Sequence, residues 1–195
     1  MSGAARQRRM TPEGYLAGER DAPTRHEYVL GELYAMAGAS DAHVTVSGNA
    51  FALLKAHLRG SDCRVYMADM KVRCNEGEAF FYPDVMVSCD PSDRQRSYFK
   101  DHPKLIIEVL SPATEAFDRG GKFAHYREIG SLTEYALIDS REHRVDIFRR
   151  EPDGRWEFVA FTGEDANVQF RSIDLTVPMR ALYEDVDFSM IEAEA

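Results

Sequence analysis

A chain of 195 residues is long enough for one well-buried core and too short for two comfortable domains. Its 44% hydrophobic and 29% charged content excludes a disordered or fibrous protein, and no apolar run approaches the length of a membrane helix. A net charge of −9 argues against indiscriminate nucleic-acid binding, which depends on neutralising phosphates, but leaves room for a local basic groove. The basic start lacks the apolar core and cleavage site of a secretion signal, so a cytoplasmic location is expected. Cys63, Cys74 and Cys89 form no Cys-x-x-Cys pair and are expected to be reduced structural residues. The six histidines lack zinc-ligand spacing, which favours a hard cation held by oxygen.

Residues 1–10 read as a flexible tail, and Thr11-Pro12-Glu13 then signals a short helix reaching about Glu19. The run R-H-E-Y-V-L-G-E-L-Y predicts a hairpin turning at Leu30-Gly31, with Glu27 and Glu32 on its arms. Ser40-Asp41 caps a helix to about Arg59, with Val44, Ser47, Phe51, Leu54 and Leu58 on its core face and Gly60 ending it. Strands are predicted at about 64–74 and 80–88, and residues 90–102 read as a surface loop. The stretch P-K-L-I-I-E-V-L-S-P, Pro103 to Pro112, has the branched apolar run of a buried central strand. A helix follows to Gly130, in which Gly120-Gly121 is expected to admit another backbone or a ligand. Strands at about 134–139, 144–149 and 156–161 form an antiparallel meander, and the remainder supplies a small helix and an acidic tail.

Glu108 breaks the apolar run of the central strand, and Asp84 interrupts F-F-Y-P-D-V-M-V in the same way. A carboxylate in a low-dielectric interior must be paired, hydrogen-bonded or bound to a cation. Neighbouring strands would bring both to one ion, and Asp118 and Lys122, four residues apart, would project from one helix face beside it. These are the parts of magnesium-assisted phosphodiester hydrolysis, in which carboxylates hold the ion, a bound water loses a proton, and a cation meets the developing charge. Taken singly, each acid reads better as a strand-end residue or an ion-pair partner than as a metal ligand.

The ordered set R-H-E-Y-V-L-G-E-L, His43 at a helix start, Y-P-D-V-M-V, L-I-I-E-V-L-S-P-A-T, D-R-G-G-K-F-A-H-Y and E-Y-A-L-I-D resembles the Uma family of restriction endonucleases, a branch of the PD-(D/E)XK nuclease superfamily. The resemblance implies an α/β (α+β) fold, a restriction-endonuclease-like mixed β-sheet flanked by helices with the antiparallel C-terminal meander. It implies a single nuclease-like domain over 11–186, with 187–195 as an acidic tail. It implies Asp84 and Glu108 as metal ligands, the carbonyl of Val109 as a third, and Mg2+ as the ion, with Mn2+ as a substitute. The wider superfamily places a lysine two residues after the glutamate, where this chain has Leu110. Lys122 matches branches in which that lysine has moved to the next helix. Glu27 matches the family's extra acid, with Glu32 as its competitor for that place.

The expected activity is metal-dependent hydrolysis of DNA by an endonuclease, with Asp84, Glu108, Lys122 and Glu27 as catalytic residues. A rival of another class is a catalytically silent binding or dimerisation module with the same fold, and a third reading is a hydrolase of smaller phosphate esters. Arg94, Arg96 and Lys100, aided by Arg6, Arg8 and Arg9, are the charges that DNA contact would use, but as an isolated cluster they read first as a solvated surface. Cutting both strands needs two centres, so a homodimer is expected.

Overall fold

The computed structural model describes residues 9–36 and 38–189. Most of the expected N-terminal tail, with Arg6 and Arg8, and the end of the acidic tail lie outside the described residues. Met10 is tied down, its N–H donating to the Gly31 carbonyl and its own carbonyl accepting from the Tyr28 hydroxyl. In chain order the first elements are α1 (Pro12–Gly18), β1 (His26–Val29), β2 (Glu32–Ala35), α2 (Asp41–His57), β3 (Arg64–Met67), β4 (Lys71–Cys74), β5 (Ala79–Phe81) and β6 (Val85–Ser88). There follow β7 (Phe99–Lys100), β8 (Pro103–Leu110), a π-helical stretch (Phe117–Lys122) continuous with α3 (Phe123–Tyr126), and β9 (Glu134–Asp139). β10 (Arg144–Arg150), β11 (Trp156–Thr162), β12 (Asn167–Phe170), β13 (Leu175–Pro178) and α4 (Met179–Leu182) complete the fold.

The larger sheet has the order β11-β10-β9-β8-β6-β3 and is mixed, since β8 and β9 run parallel while its other pairs are antiparallel. A second sheet has the order β2-β1-β5-β4-β7. The expected strands 64–74 and 80–88 are each divided between the two sheets. They form one long hairpin bent in the middle: Met67 pairs with Val85 on one side of the bend, and Val72 with Phe81 on the other. Pro83 has no N–H to continue a ladder, and Ala68 adopts φ 49°. The register slips by one residue across the bend, and the bend is where Asp84 stands.

The central strand β8 is buried on both faces. Its alternation sends Leu105, Ile107 and Val109 toward a core shared with Val46, Ala50 and Leu54 of α2, and Ile106 and Leu110 toward one shared with Phe81, Met86 and Tyr126. Period two puts Glu108 on the second face, between the two sheets. The core side of α2 is narrower than expected, because Val44 is 59% exposed.

Four further expectations are corrected. Cys63 and Cys89 form a disulfide, since the β3–β6 pairing brings together residues that look remote in sequence; Cys74 is free and buried. Residues 90–102 include a helical turn and β7. The C-terminal region holds a hairpin, β12–β13, before its small helix. Gly121 is crowded by its own helical stretch: a Cβ there would lie 2.3 Å from the Phe117 ring. The meander β9-β10-β11 and the hairpin at Leu30-Gly31 agree with the sequence reading.

Candidate active site

Asp84 follows the Pro83 kink and lies at the start of β6, beside the last turns of β8. Its Oδ2 accepts the Val109 N–H at 2.7 Å, and its own N–H reaches Glu108 Oε2 at 3.4 Å, so the two acids brace each other across neighbouring strands. His43, in the first turn of α2, places Nε2 3.3 Å from Asp84 Oδ2. Burial tends to lower the His43 pKa, but the Asp84 carboxylate and the Val109 carbonyl outweigh it, and the net shift is upward.

On the other side of Glu108 lies Lys122. Its Nζ is 3.2 Å from Glu27 Oε1, 3.2 Å from Glu108 Oε1 and 3.0 Å from Asp118 Oδ1. The π-helical stretch turns both Asp118 and Lys122 inward, and such insertions recur at functional sites. Burial works against the ammonium, yet the three carboxylates, Glu108 foremost, hold its pKa well above the usual lysine range. Glu108 is raised well above the ordinary carboxylate, first by burial and then by Asp118, Asp84 and Glu27, with Lys122 opposing. Glu27 is raised by burial against the opposing pull of Lys122. Tyr126 donates to Glu108 Oε1 at 2.8 Å, which leaves Oε2 turned toward Asp84. The cluster opens on a cavity of about 540 Å³ lined also by Met36, Val44, Met67, Tyr82, Ser111 and Thr114.

This constellation joins two sheets and a helix in one acidic cleft. The Uma2 profile, described as "Putative restriction endonuclease", matches residues 12–180. The chain belongs to this family. It is 36% identical over 180 residues to the uncharacterized protein slr1290 of Synechocystis sp. (strain ATCC 27184 / PCC 6803 / Kazusa), covering 92% of this chain and 94% of that protein. It is 35% identical over 163 residues to the uncharacterized protein sll1609 of the same organism, covering 83% and 92%. The crystal structure of "a putative nuclease belonging to DUF820" from Anabaena variabilis ATCC 29413 shares the fold, with a TM-score of 0.73 at 18% identity over 89% of this chain and 97% of that one.

In this Uma2 chain the structure brings Glu27, Asp84, Glu108, Val109 and Lys122 together and excludes others. Glu32 faces solvent and accepts from the Tyr34 hydroxyl, so Glu27 is the acid of that hairpin in the cleft. Leu110, at the superfamily's lysine position, is fully buried in the core, while Lys122 reaches Glu108 from the helix. The loop whose charges DNA contact would use is committed elsewhere. Arg94 binds Asp62, Arg96 pairs with Asp101 at 2.8 Å, and buried Lys100 donates to the carbonyls of Asp93 and Arg96. That loop leads into β8 at Pro103, five residues before Glu108, which at about 3.3 Å per residue sets it at the far end of the strand. Asp93, Asp101 and His102 gather there too, but Asp93 already accepts from Ser88 Oγ and two backbone N–H groups, and Asp101 from Arg73 and Arg96. It is a structural knot of the loop.

His43, Tyr82 and Tyr126 were not assigned to the site from sequence. Tyr126 stands four residues after Lys122 and eight after Asp118, a spacing that marks one helix face. His43 entered the sequence reading only as a helix-start residue of the family-like set, and its link to Asp84 exists only once α2 packs beside β6 and β8. Asp84 and the outward oxygen of Glu108, with Val109 in the cavity wall, offer oxygen donors of the kind that could hold a hard divalent cation.

Proposed function

We propose that this protein is a divalent-metal-dependent nuclease that hydrolyses DNA phosphodiester bonds, and the observation that carries the reading is the convergence of Asp84, Glu108, Glu27 and Lys122 on one cavity. Asp84, Glu108 and the Val109 carbonyl would hold Mg2+ or Mn2+. The bound ion would acidify a water and neutralise phosphate oxygens. Lys122 stays protonated, so its role is to donate hydrogen bonds and charge to the phosphate and the attacking water, not to act as a base. Glu27, with its pKa raised, is the better proton acceptor for that water. Apolar walls from Met36, Val44 and Met67 leave the nucleotide flanks to be held by apolar contact and shape. A two-fold dimer would supply the second centre for double-strand cutting.

The test is incubation of supercoiled plasmid and of single-stranded DNA with wild type and with Asp84→Asn, with and without Mg2+ or Mn2+. Cleavage by wild type that needs the ion and disappears in the variant supports the reading. Equal cleavage by the two proteins, or cleavage that survives chelation, refutes it.

A further inference from the structure

Three exposed apolar side chains meet at one acidic cavity. Met36, Val44 and Met67 are 38%, 59% and 39% exposed, and all three line it. They come from separate places, the residue after β2, the start of α2 and the end of β3, so no single apolar run brings them together. Exposed apolar residues scattered singly need no explanation, whereas a group of them beside a site marks a contact surface. The charges beneath them are lopsided. Glu27, Asp69, Asp84, Glu108 and Asp118 line the cavity against one lysine and no arginine. Lys122 already faces three of those acids, and Asp69 holds Arg25. A duplex is gripped by neutralising several phosphates along both strands. Once Lys122 meets the phosphate to be cut, no lining lysine or arginine remains for its neighbours.

We propose that the cavity takes one unpaired nucleotide of single-stranded DNA, its phosphate toward the acids and Lys122 and its base against Met36, Val44 and Met67, an inference that rests on the nuclease reading above. Its volume of about 540 Å³ lies within the range of about 300–1,000 Å³ for pockets that enclose one small organic molecule. An unpaired base can be splayed out of its stack to meet protein side chains, and thioethers such as those of Met36 and Met67 make favourable contacts with aromatic rings. A paired base keeps its faces in the stack and its edge on its partner, so it cannot reach the rim. Duplex DNA is then a substrate only where it is opened.

DNA of randomised sequence, as single strands and copied to full duplex, is given with Mg2+ or Mn2+ to wild type, Val44→Ala, Met67→Ala and Asp84→Asn. Wild type is expected to cleave the single strands with a kcat/KM about tenfold or more above that for the duplex. Each rim variant should raise KM for the single strand about threefold or more and leave kcat within about twofold, because the rim holds the base and does not touch the reacting phosphate. A competition arm needs no variant and so is immune to a folding defect. A sugar-phosphate strand of the same length without bases carries the same charge, and it should inhibit wild type about tenfold less well than the strand with bases. Duplex cleaved as fast as single strands, a baseless strand that competes equally, or rim variants with unaltered KM overturns the assignment, while ion-dependent cleavage lost in Asp84→Asn keeps the nuclease reading. Wild type that cleaves neither form, or an Asp84→Asn protein that cleaves like wild type, overturns the nuclease reading and this proposal with it.

Discussion

Lys122→Met removes the ammonium and keeps most of the side-chain volume. Three carboxylates then lose a partner that stood 3.0–3.2 Å away, and two of them, Glu108 and Asp118, are only 2% exposed. Stripping one member from a buried ion pair costs about 3–5 kcal/mol, because the remaining charge stays desolvated. Two features pull the loss toward the lower figure. Methionine packs well beneath the Phe81 ring, which Lys122 Nζ already approaches to 6.0 Å, and Glu27 and Glu108 can escape their charge by taking up protons. A loss of about 3 kcal/mol near neutral pH corresponds to a fall in Tm of about 6–12 °C for a chain of this size. The sign of the pH dependence follows from the raised carboxylates. A group whose folded pKa lies above its unfolded value lets the native state bind more protons, so the variant gains stability as pH falls through that raised pKa. Urea unfolding followed by circular dichroism, without divalent ions, should show the gap from wild type narrowing from neutral pH to about pH 5. A gap below about 1 kcal/mol at neutral pH, the value of a solvated surface pair, would refute the buried-cluster reasoning, as would a gap that ignores pH.

Tyr126→Phe removes the 2.8 Å hydroxyl bond to Glu108 in a fully buried setting and should cost about 1.5–3 kcal/mol by urea unfolding. Reducing the Cys63–Cys89 bridge, which joins residues 26 apart, should cost about 3.5 kcal/mol on the chain-entropy account, read as the difference in urea midpoint with and without a phosphine reductant. Arg141 bonds Asp139 and Glu115. Glu115 is held below its usual pKa first by Arg119 and then by Arg141, while at Asp139 the bonds from Arg141 outweigh burial. Stability from such depressed acids is present above their unfolded pKa and is lost as pH falls through their folded values. Arg141→Gln should therefore lose about 1 kcal/mol at neutral pH, and its unfolding curves should converge on wild type in acid. Curves that stay apart at low pH would show that Arg141 acts through packing.

The sequence made the central strand legible because both of its faces are apolar, so Leu105 to Leu110 read as strand whatever packs against them, and the interruption at Glu108 stood out. Asp84 and Lys122 followed from their order relative to that strand. The bends were hidden. Residues 64–74 and 80–88 have strand composition throughout, and only tertiary pairing decides that each half joins a different sheet. The pairing of the basic loop was hidden because Arg94, Arg96 and Lys100 look the same in sequence whether they face solvent or bind Asp62, Asp101 and backbone carbonyls. The disulfide was missed for the same reason, since it depends on a register that spacing alone does not reveal.

Those hidden bends are also what create the cleft. A straight hairpin from Arg64 to Ser88 would lie in one sheet, and Asp84 would have to point into a packed face or into solvent. The Pro83 kink and the left-handed Ala68 instead split the hairpin between two sheets and leave a crevice at the split. One bend lines it with Met67, Ala68 and Asp69, the other with Tyr82 and Asp84, and Glu108 on the intact strand β8 faces the gap between the sheets. Glu27 enters from the hairpin that pairs with β5, and Lys122 from the π-helical stretch beyond β8. Three carboxylates face one ammonium there and Asp84 stands beside them, so straightening the bend, for instance with Pro83→Val, should close the cleft onto charges it cannot solvate. The expected outcome is a destabilised chain, and one that kept wild-type stability with the cleft intact would show that the bend is set by the sheets and not by Pro83.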